Sequence, residues 1–262
     1  MAAGGETSGA VGSGGAGASG GAGASGGSVG ACPGLFCEDF ESGLIDPAVW
    51  DVKTSGTQTV TVQSKTVAHG KYAAQFHGNP NMLSYDFIIT KNAPAGLQGH
   101  HFGRAYFFVS PTVPTGHIVF LFAGTKGFPK LKYLEVAETG NQWQLTWVNL
   151  VPPDGATVGS GPQTQEQYSL GGNVPLGQWM CLEWEFNDVP DQARVFVNGT
   201  ESHAFTDISN NGVSTGLVGG FSDFGFGYYD WHPTASMFDL YFDDIVLDTK
   251  RVSCLPGGTP SQ

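Results

Sequence analysis

The sequence predicts an all-β domain of two packed antiparallel sheets, and three observations carry the prediction. From residue 35 onward, short apolar or alternating runs are separated by Gly, Pro, Asn and Asp. No apolar stripe of period 3.6 reaches helical length. The runs recur about a dozen times at strand spacing, which suits two sheets packed face to face.

Taken in order, strands are expected at 35–40, 58–67, 72–77, 83–90, 101–109, 117–123, 131–138, 143–149, 179–186, 193–198, 216–222 and 236–248. Gly and Pro gather at 111–116, 151–162, 171–177 and 210–220, where turns need their backbone freedom. The polar stretch 150–178 is expected as a long rim loop, and Gly225–Pro233, GFGYYDWHP, as an aromatic loop. In Asn198-Gly199-Thr200 the Asn-Gly pair reads as a tight hairpin turn in preference to a glycosylation acceptor.

Ahead of these runs, residues 1–30 carry thirteen of the 40 glycines, a single charge (Glu6) and no large apolar side chain beyond valine and Met1. Such a segment buries too little to offset its ordering entropy, so 1–30 is expected to be a disordered Gly/Ser/Ala-rich tether and 31–262 one domain. No run of eighteen apolar residues occurs, so no transmembrane span is expected. A tether of this kind is what a trimmed export signal or lipid anchor leaves behind, so a secreted or surface-tethered monomer is expected.

The formal net charge is −12, and after the tether come 22 of the 23 acids and all 11 bases. Nucleic acid is therefore excluded as a partner, since its phosphates need clustered Lys and Arg. Polyanions are also disfavoured unless a local basic pocket overrides the field. Cys32, Cys37, Cys181 and Cys254 have no zinc-like spacing, and their even number suits two disulfides in an oxidising compartment. Of the three possible pairings, the expected one is Cys32–Cys254 with Cys37–Cys181, because Cys32 enters the first strand and Cys254 leaves the last.

Three stretches, LFCEDFESGLIDPAVW (Leu35–Trp50), GQWMCLEWEFNDVPDQARVFVNGTE (Gly177–Glu201) and FDLYFDDIVLDT (Phe238–Thr249), resemble the concanavalin A-like jelly rolls. That group holds laminarinase-type hydrolases, several polysaccharide lyases and legume-type lectins. Within it, HFGRAYFFVSPTVPTGHIVFLFAG (His101–Gly124) resembles the glucuronan-lyase-like domains, which include fungal proteins secreted during growth on cellulose. The resemblance implies an antiparallel jelly-roll β-sandwich that meets a polysaccharide or oligosaccharide outside the cell.

Laminarinase-type enzymes set two glutamates along one strand. Here YLEVAE (Tyr133–Glu138) keeps only Glu138 in place, and Glu135 and Glu138, three apart, face opposite ways in a regular strand. Retaining hydrolysis needs two carboxyls about 5–5.5 Å apart, so it is disfavoured. A lyase acting on a uronate needs a group to hold the sugar carboxylate, a base and an acid. With neighbouring strands at 101–109 and 117–123, Arg104 is expected to clamp the carboxylate, His117 to act as base, and Tyr133 to complete the set. Period two puts Arg104, Tyr106 and Phe108 on one face, and His117, Val119 and Leu121 on another. Further groove candidates are Tyr106, Glu138, Gln142, Tyr228, Tyr229, Trp231 and His232, whose rings and polar tips suit sugar faces and hydroxyls. The other expectation is a non-catalytic carbohydrate-binding module using the same groove.

The resembling folds also imply a structural calcium between the first and last strands. Glu38 and Asp243 match the acidic positions, and the His69-Gly70-Lys71 turn is expected to supply a carbonyl, so that Glu38, Gly70 and Asp243 form the expected metal set. His100 and His101, adjacent on a strand, point apart and share no ion.

Overall fold

Among the described residues, fifteen strands pair antiparallel into two sheets. They are β1 (Phe36–Glu38), β2 (Trp50–Thr54), β3 (Thr61–Gln63), β4 (Ala73–Gly78), β5 (Tyr85–Thr90), β6 (His100–Val109), β7 (His117–Gly124), β8 (Lys132–Thr139), β9 (Gln142–Asn149), β10 (Thr164–Asn173), β11 (Trp179–Asp188), β12 (Asp191–Val197), β13 (Thr200–Thr206), β14 (Asp223–Asp230) and β15 (Phe238–Asp248). The eight-stranded sheet runs β13-β12-β11-β6-β15-β4-β3, with β1 also on β15, and the seven-stranded sheet runs β10-β9-β8-β7-β14-β5-β2. This computed structural model describes residues 32–55, 60–78, 84–112, 116–127, 132–149, 164–189, 191–206, 220–232 and 236–254. The expected tether at 1–30, the 150–163 part of the expected loop and most of the expected 216–222 strand lie outside them.

The core between the sheets follows from alternation. Ala105, Phe107, Leu182, Trp184, Leu240 and Phe242 come from one sheet; Ile88, Phe120, Leu134, Val136, Phe224 and Phe226 come from the other. Burying rings and branched chains on both inner faces is the main apolar drive for the sandwich. Each outer face has its own apolar cluster, with Phe87, Ile89, Val119, Phe122, Tyr133 and Ala137 on the seven-stranded sheet. Ala73, Tyr106, Trp179, Cys181 and Tyr241 do the same on the eight-stranded one.

Several expectations need correction. The disulfides are Cys32–Cys37 and Cys181–Cys254, with Cα–Cα separations of 5.8 and 6.0 Å. Cys37 lies on β1 and Cys181 on β11, with β15 and β6 between them. Three strand spacings of about 4.8 Å exceed the roughly 7 Å a disulfide spans. After β15 the chain instead returns over β11, where Glu183 accepts hydrogen bonds from Arg251 Nε (2.6 Å) and the Cys254 backbone N–H (3.1 Å).

The aromatic stretch expected as a loop is strand β14 through Asp230. Its glycines make the strand fit: a Cβ at Gly225 would meet the Phe122 ring at 2.1 Å, and one at Gly227 would meet the Asp86 carbonyl at 2.0 Å. Part of the polar stretch expected as loop is the edge strand β10. Leu121 does not share a face with His117 and Val119, because the β7–β8 register shifts between Val119 and Leu121 and turns Leu121 into the core. The Asn198-Gly199 turn is as expected: both residues have positive φ, 51° and 79°, and the Asn198 side-chain oxygen accepts from Cys181 N–H at 2.9 Å.

Candidate functional site

The outer face of the seven-stranded sheet gathers polar and aromatic groups. Strand alternation puts Tyr133, Glu135 and Ala137 of β8 on that face, opposite Phe122 and Val119 of β7. His117 opens β7, and its Nε2 lies 3.5 Å from Glu135 Oε1, with both residues buried. Tyr133 and Thr146 also border the Glu135 carboxyl. No donor closes on either Glu135 oxygen with good hydrogen-bond geometry, so its contacts are loose ones.

Burial sets the electrostatics here. It pushes the Glu135 carboxyl above the ordinary carboxylate range, and the neighbouring His117 only partly opposes it. Burial, reinforced by Glu135 and Tyr229 nearby, pushes the Tyr133 phenol well above its ordinary value. The Tyr133 phenol therefore keeps its proton at neutral pH and presents an O–H donor, while the Glu135 carboxyl is shifted in the same direction, toward its protonated form. Tyr229 is raised in the same way, by burial first and Glu135 second.

Beside this trio stands an aromatic platform. The Tyr229 and Trp231 rings meet edge to face at 4.6 Å, Tyr85 lies 6.0 Å from Tyr229, and Trp231 stacks 6.3 Å from His117. The backbone N–H of Trp231 donates to the His117 carbonyl at 2.9 Å, which pins the end of β14 to the start of β7. The exposed His232 ring lies 6.3 Å from His117. Gln142, exposed, lies opposite Thr139, whose other partner is His117, and so marks the same end of the sheet.

The structure thus brings together His117, Tyr133, Tyr229, Trp231 and His232, with Gln142 at the margin. It does not bring in Arg104 or Tyr106. Both lie on β6 in the other sheet, on its outer face, where Arg104 Nη2 reaches the Asp244 carbonyl at 3.4 Å and the guanidinium lies 5.7 Å from the Tyr106 ring. β6 and β7 are consecutive in sequence but belong to different sheets, which removes the expected Arg104–His117 pairing. Tyr228 points into the core, 5.3 Å from the Phe238 ring, with its hydroxyl 3.5 Å from Asp86 Oδ2. Glu138 lies on the inner side of β8, where it accepts from Asn141 N–H at 2.6 Å and feels Asp230. Sequence reasoning missed Glu135, Thr146 and Tyr85 as site residues. Period two alone pairs Glu135 with Tyr133, and that signal was available.

The expected calcium ligands are placed differently from one another. The Glu38 oxygens accept from Phe40 N–H and Trp50 Nε1–H, both at 2.8 Å. Asp243 accepts from the backbone N–H groups of Ala68, His69 and Asp244 at 2.8–3.1 Å. Gly70 sits against Glu41, whose carboxylate would meet a Cβ there at 2.2 Å. Two hard carboxylates, the half-buried Glu38 and the buried Asp243, suit calcium, whereas the N–H groups turned on them do not. Among the described residues, the one grouping of His, Cys, Asp and Glu atoms close enough to hold an ion is Cys181, Glu183 and Cys254, whose sulfurs form a disulfide.

Neither a protein-family model nor a curated protein matches the sequence. Solved structures do match. The cellulose-induced protein Cip1 superposes with a TM-score of 0.61 at 18% identity, covering 84% of this chain and 99% of that one. The endo-β-1,4-glucuronan lyase from the fungus Trichoderma reesei gives 0.60 at 16% identity, covering 87% and 99%. The fold is a concanavalin A-like jelly roll. The binding domain of botulinum neurotoxin serotype C1 shares this jelly roll more distantly, with a TM-score of 0.51 at 8% identity over 83% of this chain and 48% of that one. In jelly rolls such as these, sequence drifts far while the two-sheet frame persists, so function has to be read from the site.

Proposed function

We propose that this jelly roll binds a polysaccharide across the outer face of the seven-stranded sheet and cleaves uronate-containing chains there by β-elimination. The observation that carries the reading is the buried His117–Glu135–Tyr133 trio beside the half-buried rings of Tyr85, Tyr229 and Trp231. Ring faces suit the apolar faces of sugars, and the adjoining O–H and imidazole groups suit hydroxyls and proton transfer.

In this reading His117 accepts the C5 proton. The C5–H electrons form the C4–C5 double bond, the C4–O bond breaks, and Tyr133 returns a proton to the departing oxygen. In its protonated form, which burial favours, the Glu135 carboxyl donates a hydrogen bond to the sugar carboxylate, the part first assigned to Arg104. The two disulfides fit an oxidising, extracellular compartment. Calcium between Glu38 and Asp243 belongs to the proposal as a structural ion only.

The test is to incubate the protein with uronate-rich and neutral glycans and follow the ultraviolet absorbance of unsaturated uronate. A rise on a uronate polymer that vanishes in His117→Ala and Tyr133→Phe supports elimination. Retained binding with no rise on any polymer rejects elimination and leaves a binding module. That second reading draws on the burial of the trio, each member at 5% exposure or less, because a sugar would have to reach atoms that are covered in this structure.

A further inference from the structure

The lysines of this acidic chain are not evenly spread. Of its eight, Lys53, Lys91 and Lys126 line one cleft, together with Asp51, Ile89 and Asp223. Lys53 comes from edge strand β2, Lys91 directly follows β5, and Lys126 lies just after β7. Lys53 of β2, set opposite Phe87, and the residues that follow β5 and β7 thus line one cleft on the same sheet. Three lysines against two aspartates leave the cleft locally positive in a protein of net charge −12.

Each ammonium is positioned by an internal acceptor. Lys53 Nζ lies 2.7 Å from Asp51 Oδ2, Lys91 Nζ donates to the Pro47 carbonyl at 2.6 Å, and Lys126 Nζ donates to the Lys91 carbonyl at 3.2 Å. An ammonium has three N–H donors, so every head keeps donors beyond its anchor. Asp223 is turned toward the backbone, accepting from Gly127 N–H at 3.0 Å.

The cleft is continuous with the candidate site. Ile89 lines it and also packs in the outer-face cluster with Val119, Phe122 and Tyr133. Along β5, Ile89 marks the lysine end and Tyr85 the aromatic end, four residues or about 14 Å apart at roughly 3.4 Å per residue.

We propose that the Lys53–Lys91–Lys126 cleft is an anion subsite taking a carboxylate or sulfate group of an acidic polysaccharide whose chain continues over the outer face toward Trp231. The inference rests on the reading of that face as the glycan-binding surface. A net acidic protein repels polyanions at long range, and a local positive cleft is the feature that lets one dock. Lysine is a point charge and does not select planar carboxylate over tetrahedral sulfate, so the subsite fits both.

The experiment is titration calorimetry at low and physiological salt with polygalacturonate, its methyl ester, a sulfated galactan and a neutral β-glucan. Wild type is compared with the pair Lys91→Glu/Lys126→Glu, at exposed positions, and with Trp231→Ala. The wild type is expected to bind at least one charged polymer about tenfold more tightly than the uncharged ones, with a preference that fades as salt rises. The lysine pair is expected to lose that preference while keeping its binding of the methyl ester and its Tm. Whichever charged polymer responds identifies the group bound.

A lysine pair that keeps the preference, or a wild type that ranks charged and uncharged polymers equally, overturns the subsite. If Trp231→Ala still weakens every polymer in that case, the glycan face itself stands. A wild type that binds no polymer overturns both. Salt independence of the wild type argues against the subsite without any variant.

Discussion

His117 Nε2 lies 3.5 Å from Glu135 Oε1 on the outer face of the seven-stranded sheet, with both side chains at 4% exposure or less. A carboxyl at 3.5 Å from an imidazole is close enough to orient it, yet open enough to be re-engaged by a ligand. Because burial already favours the uncharged carboxyl, Glu135→Gln is expected to change stability by no more than about 1 kcal/mol. Glu135→Ala, which leaves a cavity, is expected to lose about 1–3 kcal/mol. Urea unfolding of the two variants measures this, and a larger loss in Glu135→Gln would show that the ionised form holds the site together.

His101 gives an acid-side prediction. It is fully buried among Phe186, Phe221 and Phe224, and burial pushes its imidazole down to about 3. The unfolded chain takes up that proton below about 6.5, the folded chain only near 3, so this residue's stability contribution is lost as pH falls through that window. The loss approaches the order of 5 kcal/mol at full protonation. His101→Phe is expected to flatten the fall of Tm between pH 6.5 and 3; an unchanged slope contradicts the burial account.

Asp86 and Glu138 act in the opposite direction. Burial raises both to about 7, against hydrogen bonds from Tyr228 and Asn141 respectively, and Asp230 adds to the rise at Glu138. A raised carboxyl binds its proton more tightly when folded, so its contribution is present below the unfolded value near 4 and is lost as pH climbs through 7. Asp86→Asn and Glu138→Gln are expected to keep Tm flatter between pH 5 and 8 than wild type. A steeper decline in either variant would reverse the assignment.

The two disulfides differ in the loop they close. Cys181–Cys254 spans 73 residues and Cys32–Cys37 spans 5. Loop-closure entropy assigns about 4 kcal/mol to the first and about 2 kcal/mol to the second. Replacing the Cys181–Cys254 pair by serines is therefore expected to lower the urea midpoint more than replacing Cys32 and Cys37. Peptide mapping under non-reducing conditions checks the pairing itself.

Calcium is tested by chelation. If an ion bridges Glu38 and Asp243, EDTA lowers Tm and releases about one equivalent of calcium. An unchanged Tm with nothing released leaves the N–H donors of Phe40, Trp50, Ala68, His69 and Asp244 as the account of those two acids.

What the sequence made legible follows from period two. Alternation in stretches such as 101–109 and 131–138 placed strands β6 and β8 and the opposition of Glu135 and Glu138. It did not reveal β14, because Gly225 and Gly227 break a strand pattern until Phe122 and the Asp86 backbone are seen packed against them. Nor did it reveal β10, whose TQEQYSLGGN run carries no apolar alternation at the sheet edge. The misplaced Arg104 has a topological cause: consecutive strands that cross between sheets look the same in sequence as a hairpin. The disulfide pairing failed for a similar reason, since the return of the chain from β15 across β11 leaves no local signature.

The most direct measurement compares glycan affinity after changing each outer face in turn. Tyr229→Ala with Trp231→Ala is expected to reduce binding of any recognised polymer by about tenfold or more, while His77→Ala and Gln75→Ala on the eight-stranded sheet leave it unchanged. Full affinity after loss of both rings, or loss of affinity from the eight-stranded face, would contradict the placement of the glycan.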